Sequence, residues 1–437
     1  MDGSGFYVSD GDYVIDKNTF FQKYQSLDKH FNTYKDESYK HLVNFSNVAN
    51  KQIHRWFYYQ EGYSPELVTK LFEHLGVADT IKFIFDPFAG SGTTLLVAKQ
   101  SGIKSLGFEI NPFSAFMINA KTRNYTQSEI NEIRNFKPLM GLQLQDHKNY
   151  ELKIIKNLFD ENKLDKIEIL KSEIQNISSE KIKNILLLCL LSVLEDISNY
   201  RKGGNGLKKK TVKTDIDPFD AFQNKKALIC EDLNKMAFGP EPIIINDSCL
   251  EMEKYEPIPE IGMSVFSPPY ANCFDPFEVY KTELWIGGFV ESYKELKEKR
   301  KRALRSNLNV DLQKPIIKEY RTELLDEILN YLSEWELWDK RIPKMLDGYF
   351  YDMYTILSKI YRKTKKNGYC IIVVGNSAYG NLPIPTDLLL AQLGEKAGFK
   401  VKEIIIARKN ETSSQQNKNL GVLSEYMRES IVVMKNE

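Results

Sequence analysis

The sequence contains few cysteines and few histidines. There are five of each among 437 residues, and the cysteines are widely separated, at Cys189, Cys230, Cys249, Cys273 and Cys370. A disulfide framework usually shows an even set of regularly spaced cysteines, and a structural zinc site needs closely spaced Cys and His ligands. We therefore expect neither disulfide bonds nor a bound metal.

The sequence also lacks long apolar runs. The longest, residues 185–191, is far shorter than the ~20 residues that a helix needs to cross a bilayer. At the amino terminus, no basic segment is followed by an apolar one, as it would be in a secretion signal. These absences predict a cytoplasmic protein without membrane association.

Neither sign of charge dominates. Lys and Arg total 60 and Asp and Glu total 59, which gives a net charge of +1. A strongly basic chain would indicate a nucleic-acid partner, and a balanced one neither supports nor excludes it. Any contact with nucleic acid must therefore come from local basic patches.

Residues 81–94, with the sequence Ile-Lys-Phe-Ile-Phe-Asp-Pro-Phe-Ala-Gly-Ser-Gly-Thr-Thr, are the most informative stretch. The apolar start predicts a buried strand, the Pro and Gly residues predict a loop at its carboxyl end, and a helix is expected to begin near Thr93. In open α/β sheets this edge binds nucleotide-like ligands, and glycines let the backbone approach them.

Glu109 follows the next predicted strand, residues 104–108, about seventeen residues after Gly92. An acidic side chain at that place can accept hydrogen bonds from both hydroxyls of a ribose. The alternative is an ordinary strand–helix–strand turn with Glu109 facing solvent.

A second motif, Ser267-Pro268-Pro269-Tyr270, follows another predicted strand. Together with Asp-Pro-Phe-Ala-Gly-Ser-Gly-Thr at residues 86–93, it resembles the paired motifs of DNA amino-methyltransferases, which transfer a methyl group from S-adenosylmethionine to N4 of cytosine or N6 of adenine. Residues 55–67 resemble the family's cofactor-flanking segment, and residues 244–247 resemble its third-strand acidic motif. The segments that match cover about half of the chain.

The resemblance implies an α/β fold built on a seven-stranded, Rossmann-like class I methyltransferase sheet whose last strand is antiparallel. The chain is longer than one typical domain, so we expect largely helical insertions. Residues 1–50 are expected to form an amino-terminal arm whose aromatic side chains pack onto the domain. The catalytic domain is expected to comprise residues 51–120, 241–282 and 346–437.

Two insertions are predicted, and either is a candidate for target recognition. Residues 121–240 contain a capping box at Thr126 and an apolar helical face, and in relatives with this motif order the intervening segment commonly reads the target. Here the insertion precedes Asp247 instead of following it, so residues 283–345 remain a competing region. Trp335 and Trp338 in that region are expected to be core residues.

The resemblance implies S-adenosylmethionine as the cofactor. Asp247, at the tip of the third strand, would accept a hydrogen bond from its adenine amino group. The residues expected to contact the cofactor are Phe57, Asp86, Pro87, Phe88, Ala89, Gly90, Gly92, Thr93, Glu109, Ile110, Asp247 and Ser248. The aromatic residues around Phe57 are equally compatible with core packing.

Ser267, Pro268, Pro269 and Tyr270 are the candidate catalytic residues. An exocyclic amine is a poor nucleophile because its lone pair is delocalised into the ring, so catalysis requires acceptors that hold the amino hydrogens and orient the nitrogen. Ser267 Oγ and the Pro268 carbonyl can accept those hydrogens, and Tyr270 can stack on a base flipped out of the duplex. In the family, Ser at the first motif position favours cytosine N4.

Candidate DNA contacts lie in two basic segments and one turn. They are Arg201, Lys202, Lys208, Lys209, Lys210, Arg300, Arg302 and Asn376. Such residues can follow phosphates or line a base pocket, although charged runs are also typical of solvated or self-paired surfaces. The expected partner is double-stranded DNA, with a cognate restriction endonuclease as a possible second partner, in a bacterial protein that joins the nucleoid while acting.

Two other functions remain open. The enzyme can instead modify N6 of adenine, or RNA, because the link between Ser267 and cytosine is imperfect. A non-catalytic DNA-binding subunit with the same fold is the second alternative. The intact glycine loop and the intact Ser267–Tyr270 motif argue against it.

Overall fold

A large, mostly parallel sheet forms the centre of the protein. The computed structural model describes residues 17–45, 48, 50–139, 150, 153–204, 206–212, 214–410 and 418–437. In chain order, the strands of this part of the chain are β1 (Thr33–Lys35), β2 (Phe83–Asp86), β3 (Lys104–Phe108), β4 (Tyr200–Gly203), β5 (Gly206–Lys209), β6 (Ile243–Ile245), β7 (Ile261–Phe266), β8 (Thr364–Gly375), β9 (Ser377–Tyr379), β10 (Leu382–Ile384), β11 (Lys400–Lys409) and β12 (Arg428–Lys435).

Helices connect the strands and cover the sheet. They are α1 (Lys17–His30), α2 (Pro65–Leu75), α3 (Thr93–Gln100), α4 (Pro112–Thr122), α5 (Gln127–Asn135), α6 (Ile155–Leu158), α7 (Glu161–Gln175), α8 (Glu180–Ile197), α9 (Pro218–Lys235), α10 (Pro276–Val279), α11 (Lys281–Ile286), α12 (Tyr293–Lys301), α13 (Glu323–Ser333), α14 (Ile342–Lys363) and α15 (Thr386–Ala397). As predicted, a helix begins at Thr93. None of the described helices is both long and apolar enough to cross a membrane.

The central sheet has eight strands in the order β1-β11-β12-β8-β7-β2-β3-β6. Its strand pairs are parallel except those of β12, which is antiparallel to both β11 and β8. The predicted antiparallel last strand is therefore confirmed. This mixed α/β architecture with a large parallel sheet fits a class I methyltransferase.

The predicted number of seven strands is wrong, because the amino-terminal arm adds an eighth. In β1, Thr33 pairs in parallel with Ile404 of β11 and so extends the sheet at its edge. A three-residue strand has almost no periodicity of its own, and its partner lies far away in the sequence. The arm is also anchored by the buried aromatic residues Phe20 and Tyr24, as expected. Its residues 1–16 lie outside the described part.

Alternation along the strands explains why both faces of the sheet are covered. In β8, Ile371 and Val373 belong to one apolar cluster, whereas Ile372 and Val374 belong to the other. Successive side chains of a strand point to opposite faces, so a continuous apolar run indicates a strand buried on both sides. The sheet is therefore a rigid support for the loops at its carboxyl edge.

The described residues between β3 and β6 are mainly helical. Thr126 and Glu129 form the predicted capping box at the start of α5. In α8, the predicted apolar face is buried, with Ile185 and Cys189 fully inaccessible. The basic loop that follows α8 is a two-stranded antiparallel hairpin, β4 and β5.

The prediction that Trp335 and Trp338 are core residues is wrong. Their exposed fractions are 41% and 70%. Helix α13 ends at Ser333, so its helical spacing does not extend to either tryptophan. The buried face of this helix comes from Leu325, Ile328 and other residues within it.

Candidate active site

A cavity of about 340 Å³ lies at the carboxyl ends of β2, β3, β6 and β7. It collects most of the residues that the sequence predicts for cofactor binding and catalysis. Those that line it are Pro87, Phe88, Gly90, Glu109, Ile110, Asp247, Ser248, Ser267, Pro268, Pro269 and Tyr270. Carboxyl ends of parallel strands meet at one edge of a sheet, which explains why residues so far apart in sequence share one cavity.

The glycine loop after β2 requires glycine at two positions. Gly90 and Gly92 have φ angles of +53° and +79°, in the left-handed region that side chains disfavour. A Cβ atom on Gly92 would also lie 2.9 Å from Ile118 Cγ2. The loop therefore lies close to α4, and α3 begins immediately after it at Thr93. Ala89, Gly92 and Thr93 shape this loop without lining the cavity.

Asp86 lies behind the loop rather than on the cavity wall. Its Oδ1 accepts a hydrogen bond of 3.0 Å from the Phe88 backbone N–H. Burial raises the pKa of Asp86 to about 8, although the Phe88 N–H opposes this shift. Asp86 thus fixes the turn that brings Pro87 and Phe88 to the cavity.

Glu109 lines the cavity and also holds the loop. Its Oε2 accepts a hydrogen bond of 2.7 Å from the Gly90 N–H, and its Oε1 accepts one of 2.8 Å from the Asn111 N–H. Burial raises the pKa of Glu109 to about 7, while these N–H donors favour the ionised form. The carboxylate therefore has a fixed orientation at the tip of β3.

Asp247 is the second buried acid of the cavity. Its Oδ2 accepts a hydrogen bond of 2.6 Å from Tyr255 Oη, and its Oδ1 accepts one of 2.6 Å from the Ser248 N–H. Arg302, predicted as a DNA contact, forms an ion pair with the same carboxylate, and half of its side-chain surface is exposed. The second insertion thus reaches the predicted cofactor side of the cavity.

The Ser267–Tyr270 loop follows β7 and forms another wall. Ser267 Oγ lies 3.4 Å from Tyr270 Oη, which donates a hydrogen bond of 2.7 Å to Glu429 Oε1. The Tyr270 ring packs on Gly375, where an added Cβ would lie 2.8 Å from Tyr270 Cε2. Burial, together with the Glu429 carboxylate, raises the pKa of Tyr270 well above its ordinary value.

Phe57 is placed in the core and not in the cavity. Its ring packs on Phe113, with centroids 4.9 Å apart, and on Tyr280. Tyr59, two residues later, lines the cavity and stacks on Tyr280 at 5.0 Å. The predicted aromatic segment therefore contributes Phe57 to the core and Tyr59 to the cavity wall.

Several cavity residues were not singled out from the sequence. They are Val43, Asn44, Tyr59, Gln60, Glu61, Gly62, Asn272, Phe274, Ala303, Leu304, Ser306, Asn307, Arg408 and Glu429, among others. Glu61 is exposed and accepts a hydrogen bond of 2.8 Å from Tyr280 Oη. Its position directly after the aromatic segment was the available sequence signal. The sequence around Arg408 and Glu429 gave no signal of a cavity position, because each residue lies within a strand.

Three predicted DNA contacts are bonded to other residues of the protein, and two of them are buried. Lys202 is buried, and its Nζ lies 2.5 Å from Glu283 and 3.2 Å from Glu195. Arg300 pairs with Asp275 and Glu278. Asn376 is buried, and its amide donates to Asp387 and to the Tyr426 carbonyl. Partners distant in the sequence pair with the two basic side chains and accept hydrogen bonds from the Asn376 amide, which a local sequence pattern does not show.

The remaining basic residues of the hairpin differ in exposure. Arg201, Lys208 and Lys209 are exposed. Lys210 donates a hydrogen bond of 2.7 Å to the Glu195 carbonyl and a longer one to that of Asp196. The exposed positive charge is therefore concentrated on three side chains.

Within the described ranges, no group of three or more His, Cys, Asp or Glu side chains is arranged to hold a metal ion.

Comparisons with known proteins agree with this geometry. Residues 6–120 match a family model described as DNA methylase. The Type II methyltransferase M.BsoBI of Geobacillus stearothermophilus is 29% identical over 90% of this chain and 87% of its own length. M.AvaI of a Nostoc species is 28% identical over 86% of this chain and 85% of its own. M.MvaI of Kocuria varians is 24% identical over 81% and 84%, respectively.

Proposed function

Because this chain is a member of the S-adenosylmethionine-dependent DNA amino-methyltransferases, we propose that it methylates the exocyclic N4 amine of cytosine in double-stranded DNA. The observation that carries the proposal is the single cavity shared by Glu109, Asp247 and the Ser267–Tyr270 loop. Two buried acids at neighbouring strand tips suit a ligand with hydroxyl and amino donors. The Ser267–Tyr270 loop beside them offers hydrogen-bond acceptors that suit an amine in need of orientation.

The residues present fit S-adenosylmethionine. When bound, this cofactor supplies an electrophilic methyl group on a sulfonium. Glu109 would accept hydrogen bonds from the ribose hydroxyls, and Asp247 would accept one from the adenine amino group. The apolar side chains of Phe88 and Ile110 lie in the same cavity and offer surfaces for the adenine ring. Gly90 allows the backbone to lie close to the ligand.

Ser267 and Pro268 are proposed to orient the target amine. The Ser267 hydroxyl and the Pro268 carbonyl each accept one amino hydrogen, which turns the nitrogen towards the methyl donor. Two consecutive prolines restrict the loop and remove backbone donors, so its geometry is set before the base arrives. The Tyr270 ring, fixed by Glu429, offers a stacking face for the base.

Cytosine is the proposed target because Ser stands at the first motif position. The base must leave the duplex to reach the cavity, at a cost of a few kcal/mol that stacking offsets. The exposed Arg201, Lys208 and Lys209 are proposed to bind phosphates. The helical segment 121–240 remains the first candidate for target recognition, with 283–345 as its competitor. We further propose a cognate restriction endonuclease as the enzyme's counterpart.

Mass spectrometry of nucleosides tests the proposed target. The purified protein is incubated with unmethylated genomic DNA and S-adenosylmethionine, and the DNA is then digested. N4-methylcytosine is expected, and the Tyr270→Ala variant should produce much less of it. N6-methyladenine instead would establish the first alternative. Absence of any methylated base, combined with no calorimetric binding of S-adenosylmethionine, would support a non-catalytic subunit.

A further inference from the structure

Glu429 joins two side chains of the cavity wall. Its Oε1 accepts the hydrogen bond from Tyr270 Oη at 2.7 Å, and its Oε2 accepts one from Arg408 Nε at 2.6 Å. Arg408 and Glu429 lie directly opposite each other in the antiparallel pair β11 and β12. All three side chains line the cavity together with Ser267.

The environment of Arg408 differs from that of a structural ion pair. The Glu429 side chain is only 6% exposed, whereas the Arg408 side chain keeps 34% of its surface accessible. A guanidinium carries five N–H donors, and Glu429 engages the one on Nε. Among the described residues, no other acceptor lies within hydrogen-bonding distance of the Arg408 side chain. Its terminal nitrogens are therefore oriented by Glu429 and available in the cavity.

We propose that Arg408 recognises the acceptor edge of the flipped base and thereby selects cytosine, with Glu429 as the positioning residue that holds both Arg408 and Tyr270. The proposal rests on the function proposed above. Next to its N4 amine, cytosine presents two acceptors in sequence, N3 and O2. Next to its N6 amine, adenine presents the acceptor N1 and then a C–H group. A planar guanidinium with two parallel N–H groups matches the first edge and leaves one donor unpaired against the second.

Single-turnover methylation of modified duplexes tests Arg408. The target cytosine is replaced by 3-deazacytosine, which keeps the N4 amine and O2 but lacks the N3 acceptor. The parent enzyme should lose about tenfold in rate, as expected for one good base contact. Arg408→Met should be similarly slow on cytosine and show no further loss on 3-deazacytosine. Lys402→Ala, on the same strand and paired with Glu437 outside the cavity, serves as the matched control.

Two further variants separate recognition from folding. Tyr270→Phe removes only the hydroxyl that donates to Glu429. It should therefore still methylate 3-deazacytosine about tenfold more slowly than cytosine. Glu429→Gln loses the charge that orients Arg408, so it should lower kcat and reduce that sensitivity without changing the KM for S-adenosylmethionine. Sensitivity to N3 that persists unchanged in Arg408→Met would overturn the assignment and leave the proposed function intact. Methylation of adenine by the parent enzyme would overturn both.

Discussion

The Gly90 N–H donates a hydrogen bond of 2.7 Å to Glu109 Oε2, so the acid proposed to hold the ribose also fixes the glycine loop. Truncating Glu109 to Ala would remove both functions together. The isosteric Glu109→Gln variant is the better probe because it keeps the size of the side chain and alters only its charge and donors.

We expect binding of 5′-methylthioadenosine to tighten as pH rises. The pKa of Glu109 is raised to about 7 by burial, and ribose hydroxyls donate best to an ionised carboxylate. The ionised fraction increases about tenfold between pH 6 and pH 8, which sets the upper limit of the gain in affinity. Calorimetry with this ligand avoids titration of the cofactor's own amino group.

Glu109→Gln is the control for that pH profile. It should bind more weakly at pH 8 and show little dependence on pH. A profile as steep as the parent's would instead assign the titration to another acid, such as Asp86, whose pKa burial raises to about 8.

Tyr270→Ala should retain affinity for S-adenosylmethionine and lose most methyl transfer, because it removes the stacking face of the base. Ser267→Ala should be less severe, since the Pro268 carbonyl still holds one amino hydrogen. Loss of one positioned hydrogen bond costs at most about 2.7–4 kcal/mol in the transition state. Cofactor calorimetry and single-turnover rates measure the two effects separately. A parental rate in either variant would contradict the assigned roles.

Gly375→Ala should impair methyl transfer without weakening cofactor binding. The added Cβ would lie 2.8 Å from Tyr270 Cε2, so the ring must move from its place beside Ser267. The hydrogen bond to Glu429 holds the hydroxyl end of Tyr270 in place while the new methyl group pushes against the ring. The ring must therefore tilt, which changes the surface proposed to stack on the base. Thermal unfolding checks that the strand remains intact. Unchanged single-turnover kinetics would show that the position of the ring is not critical.

The Lys208→Ala, Lys209→Ala double variant should bind DNA more weakly and with a flatter salt dependence. Both side chains are exposed on the hairpin, whereas Lys210 already donates to backbone carbonyls. Each lost phosphate contact reduces the slope of log K against log salt by about 0.9. Filter binding over a range of salt concentrations measures this slope. Replacing Lys400 and Lys402, which pair with Glu437, is the matched control, and equal slopes in all three proteins would exclude the hairpin.

Arg305→Ala should destabilise the fold strongly. Arg305 and Asp352 form a buried pair at 2.6 Å, and removing the cation leaves a buried carboxylate without its partner. Such a loss costs about 3–5 kcal/mol in the free energy of unfolding. Arg341→Ala breaks an exposed pair with Asp339 in the same region and should cost about 0–1 kcal/mol. Denaturant unfolding compares them, and equal losses would contradict the role of burial.

The sequence by itself determined the central strands of the sheet and the principal contents of the cavity. The buried strands, the glycine loop and the helix start at Thr93 depend on local patterns of apolar residues, Pro and Gly. Glu109, Asp247 and Ser267 each follow a predicted parallel strand, and the carboxyl ends of such strands meet at one edge. Their proximity therefore followed from the fold class without knowledge of any side-chain contact.

Only the tertiary structure decided which charged residues are available and which distant residues meet. Lys202 is neutralised by Glu283, which is far away in the sequence, and Arg408 faces Glu429 only because β11 and β12 pair in one particular register. The edge strand β1 likewise exists because β11 offers unpaired backbone groups to the arm. Such pairings depend on long-range geometry, and a residue's own neighbours in the chain do not encode them.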